Sequence, residues 1–163
     1  MVDSTNWGMA MDRIDRQLLE LLQREGRLST AELAERVALS PTPVARRLKR
    51  LEEDGIISGY RAVLDRRRLK LATTVFVSVR LMHHREDASR LFEEALSLMD
   101  EVISCHVVSG AYDYLLEVVV PDLPGYERVV RKLQTLSMVQ DMTSNFAIRP
   151  VKTGAPLPLD ALE

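Results

Sequence analysis

Cysteine occurs once in the 163 residues, at Cys105, so no internal disulfide can form and the chain suits a reducing compartment. Aromatic residues are scarce. The single tryptophan, Trp7, sits in an opening stretch (residues 1–10) that lacks periodicity and reads as a loose tail. No apolar stretch is long enough to span a bilayer, and no basic start followed by an apolar run marks a signal peptide. Catalytic patterns are missing too: there is no Ser-His-Asp or Cys-His spacing, no phosphate loop, and no helical histidine pair with an intervening glutamate. His83, His84, Glu86 and Asp87 stand together, with His106 elsewhere. Adjacent strand residues point to opposite sides, however, and no second ligand pair has a fixed spacing, which argues against a metal. Cys105 has no basic neighbour to lower its pKa except His106, so a packed thiol is expected rather than a redox switch. The expectation is a soluble cytoplasmic protein, not an enzyme, with neither metal nor cofactor.

Charge nearly balances over the whole chain, at −2, but not along it. Residues 1–68 hold 13 Lys/Arg and 11 Asp/Glu, net +2; residues 69–163 hold nine and 13, net −4. The basic groups cluster at Arg46–Arg50 and at Arg61, Arg66, Arg67, Arg68 and Lys70, a local footprint suited to phosphates. The first cluster lies on a short helix with both ends marked. Ser40 stands at the N-cap, Pro41 and Pro43 are tolerated in the first turn, and Gly55 suits a left-handed exit. Val44, Leu48 and Leu51 fall at i, i+4 and i+7 on a buried stripe, which leaves Thr42, Arg46, Arg47, Lys49 and Arg50 facing out. A rod with an apolar back and a cationic front can enter a DNA major groove.

A basic helix alone is commonly just solvated. The segment before it raises the DNA reading. Ser29-Thr30-Ala31-Glu32 has capping-box spacing and opens a helix with Leu33, Ala34 and Val37 on its apolar face. A turn through Ala38, Leu39 and Ser40 joins it to the basic helix, as in a helix-turn-helix. Asp12 to about Glu25 supplies a third helix, built on Ile14, Leu18, Leu21 and Leu22. Beyond Gly55, residues 56–64 are β-prone and are expected to form a strand leading into a basic linker.

The second half alternates strand and helix signals. Strands are expected over 73–82, 102–109, 112–120 and 139–148, and helices over 86–99 and 124–136. In the first of these helices Ala88, Leu91, Phe92, Ala95 and Met99 are expected to face inward. The order βαββαβ predicts a ferredoxin-like antiparallel sheet with both helices on one face. Leu115 to Val120 is apolar on both sides of the pleat, which predicts cover on the open face by a second copy of the domain. A dimer also suits a helix-turn-helix reading two half-sites. The expected boundaries are a tail over 1–10, a helix-turn-helix domain over 11–60, a linker over 61–72, a ferredoxin-like domain over 73–152 and a tail over 153–163. Leu157, Leu159 and Leu162 in that last tail are candidates to dock on a neighbouring surface. The fold class is α+β.

Several stretches resemble the Lrp/AsnC family of bacterial and archaeal transcription regulators, closest to its leucine-responsive branch. They are Asp12 to Leu19, Gly26 to Ser29, Leu39 to Pro43, Arg46-Arg47-Leu48, Gly55 to Tyr60 and Val108 to Leu116, together with the preceding Cys105-His106 pair. The resemblance runs from about Met11 to Lys152. It implies a winged-helix-like DNA-binding domain, a β-strand linker and a RAM domain of ferredoxin-like fold. It also implies dimers that assemble further, often to octamers, and an amino-acid effector bound by the RAM domains at contacts between dimers. The chain departs from the family at Ala38, where glycine is usual, and at Leu136-Ser137-Met138-Val139, where Leu-Pro-Gly-Val is frequent. A left-handed residue at 38 would cost alanine about 1 kcal/mol relative to glycine.

For double-stranded DNA the candidate residues are Ser40, Thr42, Pro43, Arg46, Arg47 and Arg50, with Lys49 and Arg61 better suited to phosphates. One of Arg46 and Arg47 can instead pair with Asp15, and the run from Arg66 to Arg68 reads as solvated linker. For the effector, the turn Ser109, Gly110, Ala111, Tyr112 and Asp113 is the best candidate: Asp113 could accept the ammonium and the turn's backbone N–H groups the carboxylate, with Thr143 and Ser144 completing the pocket. Against this, the turn can be only a hairpin and Asp113 an intersubunit ion-pair partner. The function these observations predict is a sequence-specific regulator tuned by a leucine- or methionine-like amino acid. An architectural DNA-binding protein and a stand-alone amino-acid-binding module are the alternatives.

Overall fold

The computed structural model describes residues 11–82 and 86–159. The opening tail with Trp7, the histidines His83 and His84, the side chain of Glu86, and Leu162 lie outside the described residues. The chain divides into two units, one running to Val63 and taking in the residues from Lys152 onward, the other spanning Leu64–Val151.

The first unit is helical. Helix α1 (Arg13–Arg24) starts in a capping box: the Asp12 carboxylate accepts from the Asp15 N–H at 2.9 Å and the Asp15 carboxylate from the Asp12 N–H at 3.3 Å. Helix α2 (Thr30–Arg36) starts in a second box, between Ser29 and Glu32. Helix α3 (Pro41–Glu53) follows after a tight turn and ends at Gly55, whose φ is +71°. Ser40 is its N-cap by backbone conformation, but its hydroxyl makes no capping bond. The sequence expectation fails here because Pro43 occupies the third helical position and has no N–H to donate.

In the turn between α2 and α3, the Ala38 N–H bonds to Glu35 O and the Leu39 N–H to Ala34 O, with Ala38 at φ +53°. These two bonds make a Schellman closure with alanine where glycine is usual. Leu18, Leu33, Ala34, Val37 and Val44 form the core, with Leu48 at its margin. Fully burying a side chain of leucine size stabilises by about 2 kcal/mol, so Leu18 and Leu33 matter most here.

Residues 56–64 are not a strand, contrary to expectation. Val63 is fully exposed and Leu64 and Tyr60 more than half exposed, and the β-prone sequence has no partner strand among the described residues. The C-terminal tail returns to this unit, where the Gln23 side-chain amide accepts from the Leu157 N–H at 2.6 Å and donates to its carbonyl at 3.5 Å.

The second unit is a four-stranded antiparallel sheet of β1 (Thr73–Leu81), β2 (Val102–Val107), β3 (Tyr114–Val120) and β4 (Val139–Phe146), in the order β2-β3-β1-β4. Helices α4 (Glu86–Ser97) and α5 (Leu123–Gln134) cover one face, as the βαββαβ order predicts. Val75, Val77, Val79 and Leu81 of β1 meet Leu116, Val118 and Val120 of β3 beneath Phe92 and Leu96 of α4, Met99 just beyond it, and Tyr126, Val129 and Leu133 of α5. Leu91 is half exposed and Leu96 takes the inward place expected of it, because Phe92, Leu96 and Met99 keep the i, i+4, i+7 stripe. On the open face Leu115 and Glu117 are half buried, and Arg66 reaches across to Glu117 at 2.9 Å. Arg66 is therefore tied to the sheet rather than solvated.

Candidate DNA interface and effector site

Helix α3 divides into three stripes. Val44, Leu48 and Leu51 face the core. Pro43, Arg47 and Arg50, also spaced i, i+4, i+7, turn toward α1. There the buried carboxylate of Asp15 accepts from Arg47 Nη1 at 2.9 Å and from Arg50 Nη2, and Arg47 also reaches Asp12 at 2.6 Å. The Asp15 N–H, followed by Arg47, holds the Asp12 carboxyl below its ordinary pKa. The third stripe is Thr42, Arg46 and Lys49. All three are exposed; Lys49 meets only Glu53, loosely at 3.5 Å, and Arg46 has no partner among the described residues.

The sequence candidates for DNA thus fall into two groups. Arg46, Thr42 and Ser40 are exposed with no side-chain partner among the described residues, as is Arg61 beyond the helix, and Lys49 is exposed and only loosely paired with Glu53. Arg47 and Arg50 are engaged inside the domain, the pairing alternative the sequence allowed for Arg47. Pro43 is half buried. Asp15 is the residue that sequence reasoning undervalued; its position at the third residue of α1, opposite arginines spaced i, i+3, was the available signal.

The effector candidates separate as well. Gly110 has φ +124°, a conformation that favours glycine, in the loop joining β2 to β3. Ser109 and Ala111 are exposed beside it. Asp113 Oδ2 accepts from the Leu81 N–H at 2.8 Å, and the Asp113 N–H bonds to Val79 O at 2.9 Å, so this side chain fastens the loop to the end of β1. Tyr112 and Thr143 are brought together, their hydroxyls 2.6 Å apart. Ser144, the next residue, points to the helix side and bonds the hydroxyl of Tyr126, so Thr143 and Ser144 cannot line one pocket. Burial raises the pKa of Tyr126 and of Tyr114, whose hydroxyl bonds Glu93 at 2.8 Å.

Sequence reasoning missed Arg80. Its Nε donates to Ala111 O at 2.7 Å, and its guanidinium carbon lies 5.3 Å from the centre of the Tyr112 ring. On the opposite side of the sheet's β2 edge, Glu93, Leu96, Ser97, Ile103 and Cys105 line a groove of about 510 Å³. Cys105 is exposed there rather than packed; desolvation and then Glu93 push its thiol up, away from a reactive thiolate.

A helix-turn-helix with a free cationic stripe, followed by a ferredoxin-like domain with polar groups gathered on its open face, is the architecture of a ligand-controlled DNA-binding regulator. Residues 11–58 match the winged helix-turn-helix DNA-binding family, and residues 74–157 match the Lrp/AsnC ligand binding domain. The chain belongs to the Lrp/AsnC family of transcriptional regulators and is not an enzyme. It is 41% identical over 154 residues to the leucine-responsive regulatory protein of Escherichia coli K12, covering 93% of this chain and 94% of that one. A Neisseria meningitidis transcriptional regulator solved as an L-Met complex is 37% identical and superposes with a TM-score of 0.90 over 94% of this chain and 100% of that one. An AsnC family regulator from Agrobacterium tumefaciens is 40% identical, with a TM-score of 0.88 over the same shares. No helix among the described residues is long and apolar enough to cross a membrane.

Proposed function

We propose that this regulator reads DNA with the exposed stripe of α3 and answers to a small apolar amino acid, leucine- or methionine-like, at its ligand-binding domain. Arg46 is the base-reading residue, since an unpaired arginine on the outward face can fork onto guanine O6 and N7. Thr42 and Ser40 contact DNA at the helix start, and Lys49 and Arg61 meet phosphates. Arg47 and Arg50 set the angle of the helix through Asp15 and touch DNA only secondarily. The observation that carries the reading is the partnerless Arg46 between Thr42 and Lys49, beside arginines that are already paired.

The amino-acid part is supported by the ligand-binding domain, by leucine-responsive relatives and by the relative solved with L-Met. The working form is a cytoplasmic homodimer that assembles further, to an octamer, with second copies covering the open sheet face and giving the β-prone 56–64 segment a partner. Effector and DNA each favour one arrangement of that assembly, so each alters the affinity for the other reciprocally. The test is an anisotropy titration of a labelled duplex from upstream of the protein's own gene beside a scrambled duplex, at two salt concentrations, with and without L-leucine and L-methionine. Sequence-selective binding that one amino acid shifts is expected. Equal, strongly salt-dependent binding to both duplexes would leave an architectural protein instead.

A further inference from the structure

Pro41 and Ala45 lie outside the three stripes of α3. Both are exposed, they stand one helical turn apart, and they run beside Thr42 and Arg46. Together they offer a proline ring and a methyl group, and no polar side-chain atom. Pro41 and Pro43 also remove two of the N–H donors that a helix start otherwise turns toward a phosphate. Ala45, in the second turn, adds a further property. Its side chain ends at Cβ, so a partner can come close to the helix there. The helix start therefore carries no charge before Arg46, and one side of it is apolar as well as exposed. A solvated helix face is ordinarily polar.

We propose that Pro41 and Ala45 form an apolar contact for the 5-methyl group of a thymine in the major groove, beside the base that Arg46 reads. The inference rests on the reading of α3 as the DNA-reading helix and adds a base preference that Arg46 does not supply. In a helix-turn-helix the N-terminal residues of the second helix are those that meet base edges. Every base edge in the major groove presents donors or acceptors, and thymine alone adds a methyl group. Set against a bare donor or acceptor, Pro41 and Ala45 would strip its water and return no hydrogen bond, which is unfavourable. Set against a methyl group they bury apolar surface on both sides. The patch thus selects thymine twice, by gain where the methyl is present and by loss where it is not.

The test is an anisotropy titration of the full-length chain on three labelled duplexes. One is the segment upstream of the protein's own gene, one is that segment with every thymine replaced by uracil, and one is scrambled. Uracil keeps the pairing and loses only the methyl. Wild type should bind the uracil duplex about fourfold more weakly for each methyl read. Ala45→Ser should lower this thymine-to-uracil ratio, and Pro41→Ser with Ala45→Ser should bring it to about one. Each ratio is taken within one variant, so any change in stability common to both duplexes cancels, and thermal unfolding checks that each variant folds. A wild-type ratio of about one, or a ratio that neither variant lowers, overturns the methyl contact and leaves Pro41 and Ala45 as helix-forming residues only. Preference for the upstream over the scrambled duplex would in that case keep the reading of α3 standing. No such preference in wild type overturns both.

Discussion

In the helical unit a single buried carboxylate, Asp15, gathers Asp12, Arg47 and Arg50, and it is the only buried charged side chain among the described residues. In the β-rich unit the core is apolar, and charged groups work at its rim: Asp113 on a backbone N–H, Arg66 on Glu117, Arg80 over Tyr112. The smaller unit has few apolar residues with which to fix the angle between α1 and α3, so an ionic latch supplies the missing direction. The larger unit has its geometry set by strand pairing and an apolar core, so its charges are not needed to fix the angles between elements. A charge in the first unit is thus gathered at a buried centre, and in the second it fastens loops and strand ends at the rim.

The sharpest way to break this contrast is Asp15→Ala. Truncating this buried carboxylate removes its bonds to Arg47 and Arg50 and one half of the α1 capping box, and should destabilise the helical unit by about 2 kcal/mol. Hydrogen exchange should speed up across α1–α3 while β1 and β3 keep their protection; equal loss in both units would mean the latch is not local. Arg46→Ala should leave the unfolding transition in place and weaken specific DNA binding by about 2 kcal/mol, read by anisotropy on matched and scrambled duplexes. Arg47→Ala should do the reverse, moving the unfolding transition more than the discrimination between duplexes.

Ala38→Gly should stabilise the helical unit by about 1 kcal/mol in denaturant titration, because φ +53° suits glycine. Acid gives the smallest effect. Asp12, Glu25 and Glu32 have pKa values lowered in the fold by the Asp15 N–H, Arg36 and Ser29 respectively. Their contribution is therefore present above the unfolded carboxylate range of about 4 and is lost as pH falls through the lower folded values. Among the described residues the β-rich unit has only Glu101 of this kind, lowered by its own backbone N–H and Lys132. Exchange protection measured between about pH 5 and pH 3 should fall first in α1 and α2.

How legible each region was in the sequence follows from the range of its contacts. The Ser29–Glu32 box, the apolar spacing from Ile14 to Leu22 and the exit at Gly55 are local, so spacing alone located the three helices, while the Asp12–Asp15 box emerged only in the structure. The left-handed Ala38 was legible only as a departure from the family pattern. The split of the α3 arginines was half legible, since Asp15 was in view but its grip on Arg50 depends on how α1 crosses α3. In the sheet the strands and helices were found, yet the effector residues were grouped by chain proximity. Pleating separates Thr143 from Ser144, and the bond from Leu81 N–H to Asp113 spans 32 positions. The bond from Arg80 to Ala111 depends on strand register, which composition does not reveal. Residues 56–64 misled because β-propensity describes fit to a neighbouring strand, and the described residues offer none.

The bonds between Leu157 and Gln23 change what counts as the DNA-binding fragment. A piece cut at residue 63 would contain all three helices of the first unit and still leave the Gln23 amide without the Leu157 backbone that it bonds in the intact chain. Trimming the chain after Val151, which looks like shortening the ligand-binding half, would strip the other half instead. Because the peptide runs out of the first unit and back into it, a protease nick in the linker leaves the two pieces joined at a second point. Released fragments should then appear more slowly with the tail intact than after it is trimmed.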